Sequence, residues 1–161
     1  MISLLFICTG NSCRSPMAEV LARRYWLPLD PTRLRLGSAG LAAGPGGAAS
    51  ENARAVAEEM GQDLSGHRSR ALDPDLVGEA DLLLVMTGDH RRTLLRTHPA
   101  AEGKVFTLAE FAGRGRGQDV VDPWGGDLAG YRRTWFEIEE LILAAVPRVR
   151  EILAQADRQE I

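Results

Sequence analysis

The chain has 161 residues, 45% of them hydrophobic, which suits one globular domain over residues 1–161 with a sizeable core. A formal net charge of −3 with no basic run excludes a general nucleic-acid binder. The N-terminal apolar run is too short for a signal peptide or membrane span, and two cysteines make no disulfide framework, so a reducing cytoplasm is the expected location.

The apolar run Ile2 to Ile7 predicts a buried strand. A loop follows, and Ser15-Pro16 reads as a helix start, with Ser15 as N-cap and Pro16 at the first helical position. Met17, Val20, Leu21, Tyr25 and Leu27 recur at helical spacing before Pro28 and Pro31 end the helix. Arg33 to Ser38 alternates as a short strand does. Residues 39–50 are small and Gly-rich, a loop that is either a plain connection or a wall of a site.

Ser50 caps a helix running to about Met60, with Gly61 as its stop. His67 lies in the next loop, and Asp73-Pro74 opens a short helix within Leu72–Gly78. Ala80 to Met86 is near-continuously apolar, as in a parallel strand covered on both faces. A helix at about 90–97 and a strand at 104–107 follow, then a flexible loop at 113–118. Tyr131, Trp135, Ile138, Ile142, Ala145, Val149 and Ile152 form one helical stripe, and Pro147 should kink it. Four strands alternating with helices predict an α/β three-layer sandwich on a parallel sheet.

The chemistry concentrates in Cys8-Thr9-Gly10-Asn11-Ser12-Cys13-Arg14-Ser15. A thiol at the end of a strand stands six positions before an arginine, in a loop that closes onto a helix N-terminus. Backbone N–H groups converging there favour an anion, and Arg14 can add two parallel charge-assisted hydrogen bonds. The same positive environment favours a nucleophilic thiolate at Cys8. Asn11 tolerates the left-handed backbone that a tight loop requires.

These residues, FICTGNSCRSPMAE, resemble the signature of the low-molecular-weight protein tyrosine phosphatases, which carry C-x5-R-S near the N-terminus. The likeness extends to Ser38-Ala39-Gly40, His67 and Asp122-Pro123, and covers most of the chain. It implies one phosphatase domain with strand order 2-1-3-4. Cys8 would be the nucleophile, Arg14 and the amides of Thr9, Gly10, Asn11, Ser12, Cys13 and Arg14 the phosphate cradle, and Asp122 the acid for the leaving group. Asp-Pro occurs three times, at 30–31, 73–74 and 122–123, and it is the resemblance that selects Asp122. It also implies a hydrogen-bonded brace of Asn11, Ser15, Ser38 and His67, although a lone loop histidine is ordinarily just a surface residue.

Cys13 is open to two readings: a reversible disulfide partner that shields Cys8, or a small packing residue. No cofactor is implied, and His67, His90 and His98 lack metal-ligand spacing. The expected partners are phosphorylated protein substrates, with phosphate and other oxyanions as inhibitors and neither nucleic acid nor membrane. Trp124 supplies one aromatic wall for a phosphotyrosine ring, while residues 41–50 supply none. Ser12 and the DPWGG stretch instead resemble the bacterial branch that dephosphorylates protein arginine. Phosphotyrosine stands first and phosphoarginine is the alternative. Arsenate reduction on this fold needs further resolving cysteines, which the chain lacks. A non-enzymatic phosphoprotein binder would not keep both Cys8 and Asp122.

Overall fold

Every side chain of Ile2–Cys8 is buried, and this run forms the central strand β1 of the computed structural model, which describes residues 1–159. β2 (Leu34–Gly40), β3 (Leu82–Val85) and β4 (Val105–Thr107) complete an all-parallel sheet in the order β2-β1-β3-β4. This is the expected topology. Because β1 has β2 on one side and β3 on the other, the crevice beyond its C-terminal end is a topological switch point, where open α/β sheets bind ligands.

Alternate residues of β1 feed opposite cores, as the period of two requires. Leu4, Phe6 and Cys8 pack with residues of α1 (Arg14–Tyr25), α2 (Glu51–Glu59) and α6 (Leu128–Ala144), among them Met17, Val56, Trp135 and Ile138. Leu5 and Ile7 pack with Val77 of α3 (Pro74–Glu79) and Leu94 of α4 (Gly88–Thr97). Phe6, Trp26 and Phe111 of α5 (Leu108–Phe111) form an aromatic chain with centroids 5.5 and 5.8 Å apart. Each such pair contributes about 0.5–1.5 kcal/mol beyond its buried area.

Four local expectations are corrected. Helix α1 begins at Arg14, and Cys13 precedes it without a side-chain cap. Ser15 is therefore inside the helix rather than its N-cap, and its hydroxyl is engaged elsewhere. β2 runs on to Gly40, paired with Cys8, so the Gly-rich loop starts two residues later than its composition suggests. Helix α4 starts at Gly88, because Thr87 accepts the His90 N–H at 3.0 Å and caps it. The long C-terminal helix is two helices, α6 and α7 (Val146–Gln159), meeting at Ala145. Pro147 does more than kink it: lacking an N–H, it sits where proline is tolerated, in the first turn of a new helix.

Candidate active site

The strand end and helix start that the sequence places side by side enclose a cavity of about 260 Å³. Its walls are residues 8–10 and 12–14, with Asp122 and Trp124 arriving from the far loop. Asn11 makes the turn possible. It has φ 53°, the one positive φ at a non-glycine among the described residues, in the region where Asn is better tolerated than most.

Asn11 is fully buried and uses its polar groups to hold the loop. Nδ2 donates to Ser15 Oγ at 2.9 Å and to Ser38 Oγ at 3.0 Å, and Oδ1 accepts the Arg70 N–H at 3.0 Å. The His67 ring donates from Nε2 to the Asn11 carbonyl at 2.7 Å. The structure thus brings Asn11, Ser15, Ser38 and His67 together, with His67 on the backbone and not on the amide. Arg70, which sequence reasoning passed over, joins them and also donates from Nε to the Ser38 carbonyl at 3.0 Å. Gly40 has to be glycine: a Cβ there would meet the Thr9 carbonyl at 2.6 Å and the Asn11 nitrogen at 2.9 Å.

Ser15 Oγ lies 3.0 Å from Cys8 Sγ. Since it accepts from Asn11, its own hydrogen is free to point at the sulfur, a contact that stabilises a thiolate. The Arg14 guanidinium is buried, donating from Nη1 to the Val120 carbonyl at 3.2 Å and facing Asp122 Oδ2 from Nη2 at 3.4 Å. Five N–H donors leave several for an oxyanion in the cavity. Asp122 is half exposed, and its Oδ1 accepts the Trp124 N–H at 3.1 Å, which fixes the carboxylate at the rim. Trp124 is 73% exposed, a single aromatic face beside the opening.

Both cysteines are free and buried. Cys13 Sγ donates to Ser50 Oγ at 3.4 Å and lies 3.3 Å from the Tyr131 hydroxyl. Burial, together with the hydrogen bond to Cys13, pushes the Tyr131 phenol up to about 12. The segment 41–50 takes the role of a brace: Leu41, Ala42 and Ser50 donate their N–H groups to the carbonyls of Cys8, Thr9 and Ser12, each at 2.9 Å. The cavity lining comes from elsewhere. Two further residues escaped sequence reasoning. Asp119 accepts the Gly88 N–H at 2.9 Å, tying the Asp122 loop to α4, and His90 reaches Thr9 Oγ1 at 3.0 Å. The T-x-x-H spacing at the end of β3 was the available signal for His90.

Among the described residues no group of three or more His, Cys, Asp or Glu side chains could hold a metal, and no helix is long and apolar enough to cross a membrane. A family model described as low molecular weight phosphotyrosine protein phosphatase matches residues 3–155. A protein-arginine-phosphatase of Geobacillus stearothermophilus is 39% identical over 139 residues, covering 86% of this chain and 90% of that one. The low molecular weight protein-tyrosine-phosphatase Ptp of Acinetobacter johnsonii is 34% identical, covering 87% and 92%. The solved structure of the YwlE arginine phosphatase from Geobacillus stearothermophilus superposes with a TM-score of 0.88 at 35% identity, over 96% of this chain and 97% of that one.

Proposed function

Because the chain belongs to the low molecular weight phosphotyrosine protein phosphatase family, we propose that it hydrolyses phosphotyrosine in proteins through a phosphocysteine on Cys8. One observation carries this reading: Cys8, Arg14 and Asp122 line one cavity together with loop residues Thr9, Gly10, Ser12 and Cys13. In the first step Cys8 Sγ attacks phosphorus and the P–O bond to the leaving group breaks. The Asp122 carboxyl gives its proton to the departing oxygen. Arg14 and the amides of residues 9–14 take up the charge on the equatorial oxygens.

In the second step Asp122, now a carboxylate, removes a proton from water. The water oxygen attacks phosphorus, the S–P bond breaks, and inorganic phosphate leaves with Cys8 restored as thiolate. The Ser15 hydroxyl, 3.0 Å from Sγ, stabilises that leaving thiolate. Water is the only co-reactant. Trp124 offers one face to the substrate ring. A nucleophilic thiol works in a reducing compartment, so the cytoplasm belongs to this proposal.

A second reading, phosphoarginine, is favoured by the half-buried Ser12 in the cavity wall, whose hydroxyl can accept from a guanidinium, and by the relative from Geobacillus stearothermophilus. Turnover of matched phosphotyrosine and phosphoarginine peptides ranks the two by kcat/KM. Cys8→Ser is expected to abolish turnover of both while inorganic phosphate still binds. Residual turnover above the uncatalysed rate in that variant would overturn the mechanism.

A further inference from the structure

His90 is a buried ionisable side chain beside the site that the reaction above does not use. It is 7% exposed, on the first turn of α4, and its Nε2 lies 3.0 Å from Thr9 Oγ1. Its Nδ1 is buried with no hydrogen-bond partner. Among the described residues His90 is also the only hydrogen-bond partner of the Thr9 hydroxyl. Thr9 itself lines the cavity that holds Cys8, Arg14 and Asp122.

The protonation of this ring is decided by its surroundings. The Arg14 charge disfavours the protonated ring, while the carboxylates of Asp122, Asp119 and Asp89 favour it. Burial and the Arg14 charge outweigh the three carboxylates and hold its value down at about 4, so the ring is neutral at working pH. A neutral imidazole carries one proton on either nitrogen. On Nδ1 it would be a buried donor with nothing to receive it, the costlier orphan. On Nε2 it is donated to Thr9 Oγ1, and only a lone pair is left unsatisfied.

That assignment determines where the Thr9 hydrogen goes. Oγ1 accepts from His90, so its own hydrogen cannot return to that nitrogen and is left for an acceptor in the cavity. We propose that His90 is a positioning residue that turns the Thr9 hydroxyl into an extra donor to a phosphoryl oxygen. The amide cradle is thereby extended by one side-chain O–H, aimed through a ring anchored on a different helix. The same helix holds the Asp122 loop through Gly88 and Asp119, so the donor and the acid share one mounting.

The inference rests on the phosphatase reading, which wild-type turnover and the Cys8→Ser variant test separately. Its own test is the inhibition constant of inorganic phosphate against para-nitrophenyl phosphate. A hydrogen bond to a charged oxygen is strong enough that Thr9→Val should raise this constant about tenfold. His90→Phe should raise it equally in the wild-type background and not at all on top of Thr9→Val. His90→Gln, whose amide N–H reaches the same oxygen, should restore it to within about threefold. Melting temperature monitors the fold throughout. An unchanged constant in Thr9→Val, additive effects in the double variant, or a folded His90→Gln that restores nothing would each overturn the relay while leaving the phosphocysteine mechanism intact.

Discussion

Asp122 shows how a residue of ordinary chemistry acquires a role from its neighbours. Its carboxylate faces Arg14 at 3.4 Å and is steadied by the Trp124 N–H, at the rim where a leaving oxygen would depart. If it supplies that proton, the loss on removing it depends on how much the leaving group needs one. Asp122→Asn should slow phenyl phosphate, whose phenol has a pKa of about 10, far more than a strongly activated aryl phosphate. Steady-state kcat across a leaving-group series measures this, and equal slowing throughout would remove Asp122 from the role. Composition alone could not single out this carboxylate, because three Asp-Pro pairs look alike locally. Asp73 of the second pair serves as a helix cap, bonding the Leu76 N–H at 2.8 Å. The resemblance singled out Asp122, and its placement beside Arg14 is what distinguishes it physically from Asp73.

At the scale of elements, apolar periodicity carried most of the information. β1 was legible because a strand covered on both faces is nearly continuously apolar, with Ser3 the one polar interruption in the run Ile2 to Ile7. Helix boundaries were less legible where a side chain has a second use. Ser15 looks like an N-cap, yet Asn11 and Cys8 claim its hydroxyl, and the helix starts two residues earlier than that cap implies. The break at Ala145 has an energetic counterpart. Trp26 donates its indole N–H to the Ile142 carbonyl at 2.8 Å, in the last turn of α6 where carbonyls run out of intrahelical donors. Trp135 is equally buried, but its indole nitrogen has no partner. Trp26→Phe should therefore cost about 1 kcal/mol more than Trp135→Phe in chemical denaturation, although both lose the same atoms. Equal costs would mean that the bond to Ile142 adds nothing to the attachment of α6.

Over the whole molecule, the sheet order determines where the chemistry can be. Placing β1 between β2 and β3 opens a crevice beyond Cys8, and every braced segment of the site hangs from that edge. Sheet order and cradle were legible together because one short motif resembles a known family over its flanks as well as its core. The Arg70 and His90 contacts were not, since neither residue belongs to the motifs that carry the resemblance. His90 also links the site to global stability. Its folded value is about 4 against an ordinary 6.5, so between those limits the unfolded chain binds a proton that the folded chain refuses. Its contribution is complete above about pH 6.5 and is lost as pH falls toward 4. The melting temperature should thus fall less between pH 7 and pH 4.5 in His90→Gln than in the wild type, and parallel declines would contradict the assignment.

The proposed mechanism depends on a covalent bond between Cys8 and phosphorus, and that bond can be sought directly. Enzyme mixed with a phosphorylated substrate, quenched in acid within the first turnovers and digested for mass spectrometry should yield the Cys8 peptide carrying one phosphoryl group. Asp122→Asn should accumulate more of it from an activated aryl phosphate, because its breakdown needs the base. A fully active enzyme whose Cys8 peptide is never phosphorylated, or a phosphoryl group found on another side chain, would contradict the mechanism.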